Sequence, residues 1–131
     1  ARVLHGDDAA EGVGAAVGYI VRVMYAGRLL RTGKQFDAGS ISFKLGAGQA
    51  IPAFEEAVAD MKVGGIRRIE IPGELEEKLA YSRDPSQRYN VGPIPSTLGG
   101  RRTLDFVLDN RTLKDFNRTL LFDIRLSNIR K

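Results

Sequence analysis

The sequence predicts an α+β fold in which an antiparallel sheet wraps over a single amphipathic helix. Three observations predict it. Several segments alternate apolar and polar residues at period two, one central segment changes to a helical period, and no repeated strand-helix-strand pattern of a parallel sheet is present. With 131 residues, the chain can bury a core without metal or disulfide staples. One domain over 1–131 is expected, with 1–15 as an N-terminal extension.

The extension is rich in Gly, Ala and Asp, with a short edge strand expected at Val3 and Leu4. From Ala16 to Leu30 the run AVGYIVRVMYAGRLL places Tyr19, Val21, Val23 and Tyr25 on one face and Arg22 and Arg28 on the other, a long half-buried strand. Thr32, Gly33 and Lys34 make a turn. Ile41, Phe43 and Leu45 then alternate with Ser42 and Lys44 as a second strand.

Beyond it, Phe54, Ala57, Val58 and Met61 fall at i, i+3, i+4 and i+7, one face of a helix over 52–62. Pro52 suits its first turn and the pair Gly64 and Gly65 its stop. Residues 66–71, IRRIEI, alternate as another strand, and GELEEKLAYSRDPSQRYN reads as a loop with one short helical turn. VGPIPSTLGGRR is loop-like, while TLDFVLDN suits either a short strand or a helical turn. In TLLFDIRLSNIR, Leu120, Phe122, Ile124 and Leu126 share one face, a last strand expected to close the sheet.

Apolar residues at 43% and charged residues at 27% argue against a disordered or fibrous chain. No apolar run approaches the length of a membrane span. Without cysteine there is no disulfide framework, thiol nucleophile or zinc knuckle. The net charge of +4 arises from 20 basic and 16 acidic residues that are mostly interleaved, the pattern of a solvated surface. Arg67, Arg68, Arg101, Arg102, Arg111, Lys114 and Arg118 offer the materials of a positive face, but no nucleic-acid partner is expected. The opening ARVLHGDD has no methionine, basic segment or apolar stretch, so any targeting segment is expected to lie outside this chain.

LGAGQAI sits between a strand and a helix, and Gly46 and Gly48 match the first two positions of a dinucleotide-binding turn. Ile51 at the third position, Pro52 after it and the antiparallel surroundings argue against a nucleotide. His5 has no nucleophile near it in sequence, so no metal or catalytic histidine is expected, and no cofactor. Two N-x-T sequons, at Asn110 and Asn117, are read as chance occurrences. The aromatic and aliphatic residues Tyr25, Phe36, Ile41, Ile51, Phe54, Tyr81, Ile94 and Phe122 suit a core or the lining of a cleft.

The ordered motifs VMYAGRL, TGKQFDAG, FKLGAGQAIPAFEEAVADMKVGGIRRIEIP, LAY, GPIP and TLLFDIRL resemble the FKBP-type peptidyl-prolyl cis-trans isomerases, which also bind immunosuppressant macrolides. The resemblance covers residues 17–98 and 117–130. It implies a half-barrel with a shallow apolar pocket between the curved sheet and the helix. Tyr25 matches the aromatic after the first long strand, and Phe36 and Asp37 match the F-D pair. Ile41 occupies a position often held by a pocket aromatic. Ala50 and Ile51 match the V-I dipeptide whose second backbone N–H holds a substrate carbonyl, and Phe54 replaces the tryptophan of the pocket floor. Tyr81, Ile94 and Phe122 match the tyrosine, the loop isoleucine and the last-strand aromatic of that pocket. By this resemblance Phe36, Asp37 and Tyr81 carry catalysis, and Tyr25, Ile41, Ala50, Ile51, Phe54, Ile94 and Phe122 bind substrate.

Two departures accompany these matches. Ser82 replaces the family's glycine after the tyrosine, and residues 99–116, GGRRTLDFVLDNRTLKDF, are inserted near the pocket rim. The latter pattern resembles plastid members of the family, several of them in the thylakoid lumen, where isomerase activity is often low. The resemblance therefore implies isomerisation of X-Pro bonds in proline-containing polypeptide clients, a macrolide ligand, a chloroplast location and photosynthetic-complex subunits as partners. The rival reading is a binding or assembly module with weak or no isomerase activity that uses the same groove and the basic insertion to hold a partner protein.

Overall fold

The structure, a computed structural model, describes residues 2–7, 14–110, 113 and 115–131. Among these residues five strands form one antiparallel sheet: β1 (Arg2–Asp7), β2 (Ile20–Leu29), β3 (Gln35–Lys44), β4 (Ile66–Ile71) and β5 (Leu120–Arg130), in spatial order β1-β4-β5-β2-β3. Among the described residues the α-helices are α1 (Pro52–Val58), α2 (Glu76–Leu79) and α3 (Leu98–Asp109). This is the α+β architecture expected from the alternating segments and the one amphipathic helix.

The last strand does not close the sheet; it is the middle strand, paired with β4 on one side and β2 on the other. An apolar run that buries Leu120, Phe122, Ile124 and Leu126 is best placed where both backbone edges are hydrogen-bonded. Shorter or more polar strands suit the edges. β1, expected as a two-residue edge strand, runs for six residues along the outer side of β4.

The core lies between the sheet and α1. Val21, Val23, Tyr25, Phe43, Ile69, Ile71 and Phe122 from the sheet, and Ala53, Phe54, Ala57 and Val58 from the helix, are all buried. Helix α1 is shorter than its apolar spacing predicts. Ala59 is extended and Asp60 adopts a positive φ of 67°, so Met61 is buried from outside the helix. Backbone pairing imposes this early end: Ala15 N donates to Met61 O at 2.8 Å and Asp60 N donates to Ala15 O at 2.9 Å. Arg67 also donates to the carbonyls of Ala57 and Ala59, supplying partners for the helix's last turn.

The segment left open between strand and helical turn is α3, and it begins inside the stretch that reads as loop. Thr97 caps it, its hydroxyl accepting from Gly100 N at 3.0 Å. Leu104, Val107 and Leu108 face inward at helical spacing. Arg88, only 2% exposed, ties the helix down through Asp105 at 3.0 Å and Asp109 at 2.6 Å while also donating to the carbonyls of Ser82 and Arg83. Burial alone would lower the ionisation of that guanidinium, but its bonds to Asp109 and Asp105 reverse the sign and raise it.

Candidate functional site

The sequence places Phe36 and Asp37 side by side in a strand, where alternation should send them to opposite faces. Both are buried. The register explains it: Gly27 pairs with Asp37 and Arg28 with Gln35, leaving Phe36 as an extra residue on β3. Such a bulge turns two consecutive side chains toward one side, where an ordinary strand would bury only one.

The Phe36 ring enters an aromatic cluster. It meets Phe122 edge to face at 5.6 Å between centroids, Phe122 meets Phe54 at 4.9 Å, and Tyr25 meets Phe54 at 5.7 Å and Phe122 at 6.3 Å. These are the separations at which ring edges and faces attract. Gly27 makes the approach possible, because a Cβ there would come within 2.6 Å of the Phe122 ring and 2.8 Å of the Phe36 ring. Four of the residues expected around the pocket are thus brought together from β2, β3, α1 and β5.

Asp37 forms the polar border of the cluster. Tyr25 donates its hydroxyl to Oδ2 at 2.6 Å, and Ser96 donates its backbone N–H and its hydroxyl to Oδ1 at 3.1 and 3.3 Å. Burial first, then the bond to Asp37 and its charge, push the Tyr25 hydroxyl well above the ordinary tyrosine value. Tyr81 is wholly buried and is raised for the same leading reason, with the nearby oxygens of Tyr25, Asp37 and Tyr89 adding to it. Both phenols therefore remain hydrogen-bond donors. That of Tyr81 donates to Pro93 O at 2.6 Å.

Ile51 stands at the entrance to α1. Pro52 biases it toward an extended conformation, observed as φ −57° and ψ 145°, which aims its N–H away from the helix. It donates to Gly92 O at 2.8 Å. Ala50 is buried and bridges Gly92, Ile41 is partly buried against the core, and Ile94 is largely exposed. The ten residues expected in the site thus lie around one region, with Ile94 turned outward. Ser96, Thr97, Gly100 and Arg88 belong to its surroundings and escaped the sequence reading; only Ser-Thr before an apolar periodicity, a helix-start signal, could have found α3 and its cap.

The glycine turn at 46–48 has a different use from phosphate binding. Gly46 N and Gly48 N donate to the two carboxylate oxygens of Glu55, each at 3.2 Å, and both glycines have positive φ. Most of the arginines in the suggested positive face also have internal partners. Arg67 serves the end of α1, Arg68 pairs with Asp123 at 2.6 Å, Arg101 stacks over Tyr89 and Arg118 pairs with Glu76 at 3.6 Å. Arg111, Thr112 and Lys114 lie outside the described residues. An open groove of about 660 Å³ is lined by Tyr25 together with Met24, Ser40, Ile66 and Arg125, but by none of Phe36, Asp37, Phe54 and Tyr81. Among the described residues, no helix is long and apolar enough to cross a membrane.

The sequence is 44% identical over 119 residues to the chloroplastic peptidyl-prolyl cis-trans isomerase FKBP19 of Arabidopsis thaliana, an alignment covering 88% of this chain and 43% of that protein. It is 33% identical over 131 residues to chloroplastic FKBP17-1 of the same plant, covering 85% of this chain and 52% of the relative. The chain thus matches about half the length of these relatives. In three dimensions it resembles the crystal structure of FkpA from Escherichia coli, with a TM-score of 0.57 and 26% identity over 95% of this chain and 46% of that one. A profile of the FKBP-type peptidyl-prolyl cis-trans isomerases matches residues 12–127, and the chain belongs to that family.

Proposed function

We propose that this chain catalyses cis-trans isomerisation of X-Pro bonds in polypeptide clients, in the region bounded by Tyr25, Phe36, Phe54, Phe122, Asp37, Ile51 and Tyr81. The observation that carries the reading is the bulge that turns both Phe36 and Asp37 inward. It joins an aromatic wall to a carboxylate at one position. Rotation about a prolyl amide faces a barrier of roughly 18–20 kcal/mol because planarity carries resonance. The twisted amide has less charge separation, so an apolar aromatic surface favours it over the planar form relative to water. No nucleophile or proton transfer is required.

In this proposal Phe54 and Phe122 support the prolyl ring, the Ile51 N–H and the Tyr81 hydroxyl hold flanking carbonyls, and Asp37 orients the rotating carbonyl region. Phe36 completes the apolar wall, with Ile41, Ala50 and Ile94 at its margins. The same surface would admit a macrolide. Proline-containing clients in a plastid, and in the thylakoid lumen at the finer level, fit the chloroplastic relatives; subunits of photosynthetic complexes are the proposed partners.

The second reading is a binding or assembly module that holds a partner through the same groove and the basic insertion with weak or no catalysis; it applies where Ile51 N–H, Tyr81 and Asp37, which already have hydrogen-bond partners within the chain, are not released to act on a rotating amide. A proline-isomerisation assay separates the two. For the enzyme, acceleration by the native chain should fall roughly tenfold or more in Phe36→Ala and Asp37→Ala, equivalent to at least about 1.4 kcal/mol of lost transition-state stabilisation. Acceleration unaffected by either substitution would refute the assigned site, and no acceleration with retained binding of a prolyl peptide would favour the module.

A further inference from the structure

One short stretch of the chain, Gly92–Ser96, engages most of the hydrogen-bonding groups of the proposed site. Gly92 O accepts from Ile51 N at 2.8 Å, and Gly92 N donates to Gln49 O at 3.1 Å, forming a bridge beside Ala50. Pro93 O accepts from the Tyr81 hydroxyl at 2.6 Å. Ser96 donates twice to Asp37, at 3.1 and 3.3 Å. Gly92 also packs so closely on Ile41 that a Cβ there would overlap the Ile41 side chain.

The stretch reads Gly-Pro-Ile-Pro-Ser, with two X-Pro steps. Pro93 and Pro95 are buried, whereas Ile94 and Ser96 are exposed. The proline rings therefore face the protein and the large aliphatic chain faces away, the reverse of what burial of apolar area alone would select. Hydrogen bonds to Ile51, Tyr81 and Asp37, rather than the Ile94 side chain, hold the stretch in place.

We propose that Gly92–Ser96 is an internal occupant of the prolyl-peptide groove, bound through the groups that would hold a client, so that a client enters by displacing it. The inference rests on the function proposed above. A tethered occupant competes at a high effective concentration and lowers the apparent affinity for clients by the fraction of molecules in which it has left.

The test uses the full chain with Ser96→Ala, which removes the hydroxyl donor, and Ser96→Pro, which removes both donors. Two quantities are measured: isomerisation of an Ala-Leu-Pro-Phe peptide and hydrogen exchange of the Ile51 amide. Losing one such bond should raise kcat/KM about fivefold, chiefly through KM, and reduce Ile51 protection by a similar factor. Active native protein whose variants show neither change overturns the internal occupant and leaves the isomerase reading standing. Variants that expose the Ile51 amide and bind the peptide more tightly, with no isomerisation by any form, support the occupant and overturn the isomerase reading. Ser96→Ala keeps the test decisive if Ser96→Pro fails to fold.

Discussion

Gly100 of α3 rests directly on the carbonyl oxygen of Phe36, so closely that a Cβ on residue 100 would overlap that oxygen. The helix is seated on the backbone of the bulge that turns Phe36 and Asp37 inward. Helix α3 and the β3 bulge are therefore one packed unit. Gly99, its neighbour, has no atom near the position of its missing Cβ.

The two glycines should thus respond oppositely to alanine. Gly99→Ala is expected to stabilise by roughly 0.5–1 kcal/mol through helix propensity. Gly100→Ala gains the same propensity, but overlap with a backbone atom costs about 1–3 kcal/mol or more and forces α3 away from β3. Urea unfolding of both variants measures the sign, and a stabilised Gly100→Ala would refute the packing.

The bond between Tyr25 and Asp37 predicts a coupled pair. Tyr25→Phe removes the donor and leaves a buried carboxylate oxygen short of a partner, a loss of about 1–3 kcal/mol. In a double-mutant cycle with Asp37→Asn, the interaction energy should exceed about 0.5 kcal/mol. Additive losses would mean that the two groups do not interact in solution.

Arg88 predicts a local effect. With its guanidinium buried against Asp105, Asp109 and two carbonyls, Arg88→Gln should destabilise the docking of α3 by about 2–3 kcal/mol, less than a fully buried pair because both aspartates reach solvent. Hydrogen exchange should rise across α3 while β2 and β5 keep their protection. Uniform loss of protection would show that α3 and the sheet unfold together.

The phenols predict the response to alkali. Burial leads the upward shift at Tyr25, Tyr81 and Tyr89, and the bond from Tyr89 to Asp105 at 2.7 Å adds to the last. Below about pH 10 the tyrosines are protonated whether the chain is folded or unfolded, so this contribution is constant. Above it the unfolded chain releases protons that the folded chain retains, and stability falls as pH rises. Unfolding midpoints measured from about pH 8 to 11 should drop above pH 10, less steeply in Tyr25→Phe.

Much of the candidate site was legible from local pattern and motif order. Alternation around Val21, Val23 and Tyr25 identified a strand, Pro52 and the spacing of Phe54 and Val58 marked a helix, and the F-D pair pointed to Phe36 and Asp37. The pair Gly99 and Gly100 obscured α3 because two adjacent glycines read as a turn. Their helical use depends on a contact with Phe36, more than sixty residues earlier in the sequence. Met61 likewise fitted a longer helix, but pairing of Asp60 and Met61 with Ala15 ended it.

Periodicity and side-chain chemistry suffice to say which segments are strands or helix and which side chains can supply an aromatic wall, a carboxylate and hydrogen-bond donors. Tertiary structure decided what those groups touch. The extra residue at Phe36 is visible only when β2 and β3 are paired, and the central place of β5 only when both neighbours are present. The engagement of Ile51, Tyr81 and Asp37 by residues 92–96 likewise required the chain to return to its own surface. Local sequence patterns describe faces and turns, whereas register, close approach and hydrogen-bond partners across long separations exist only after the chain has packed.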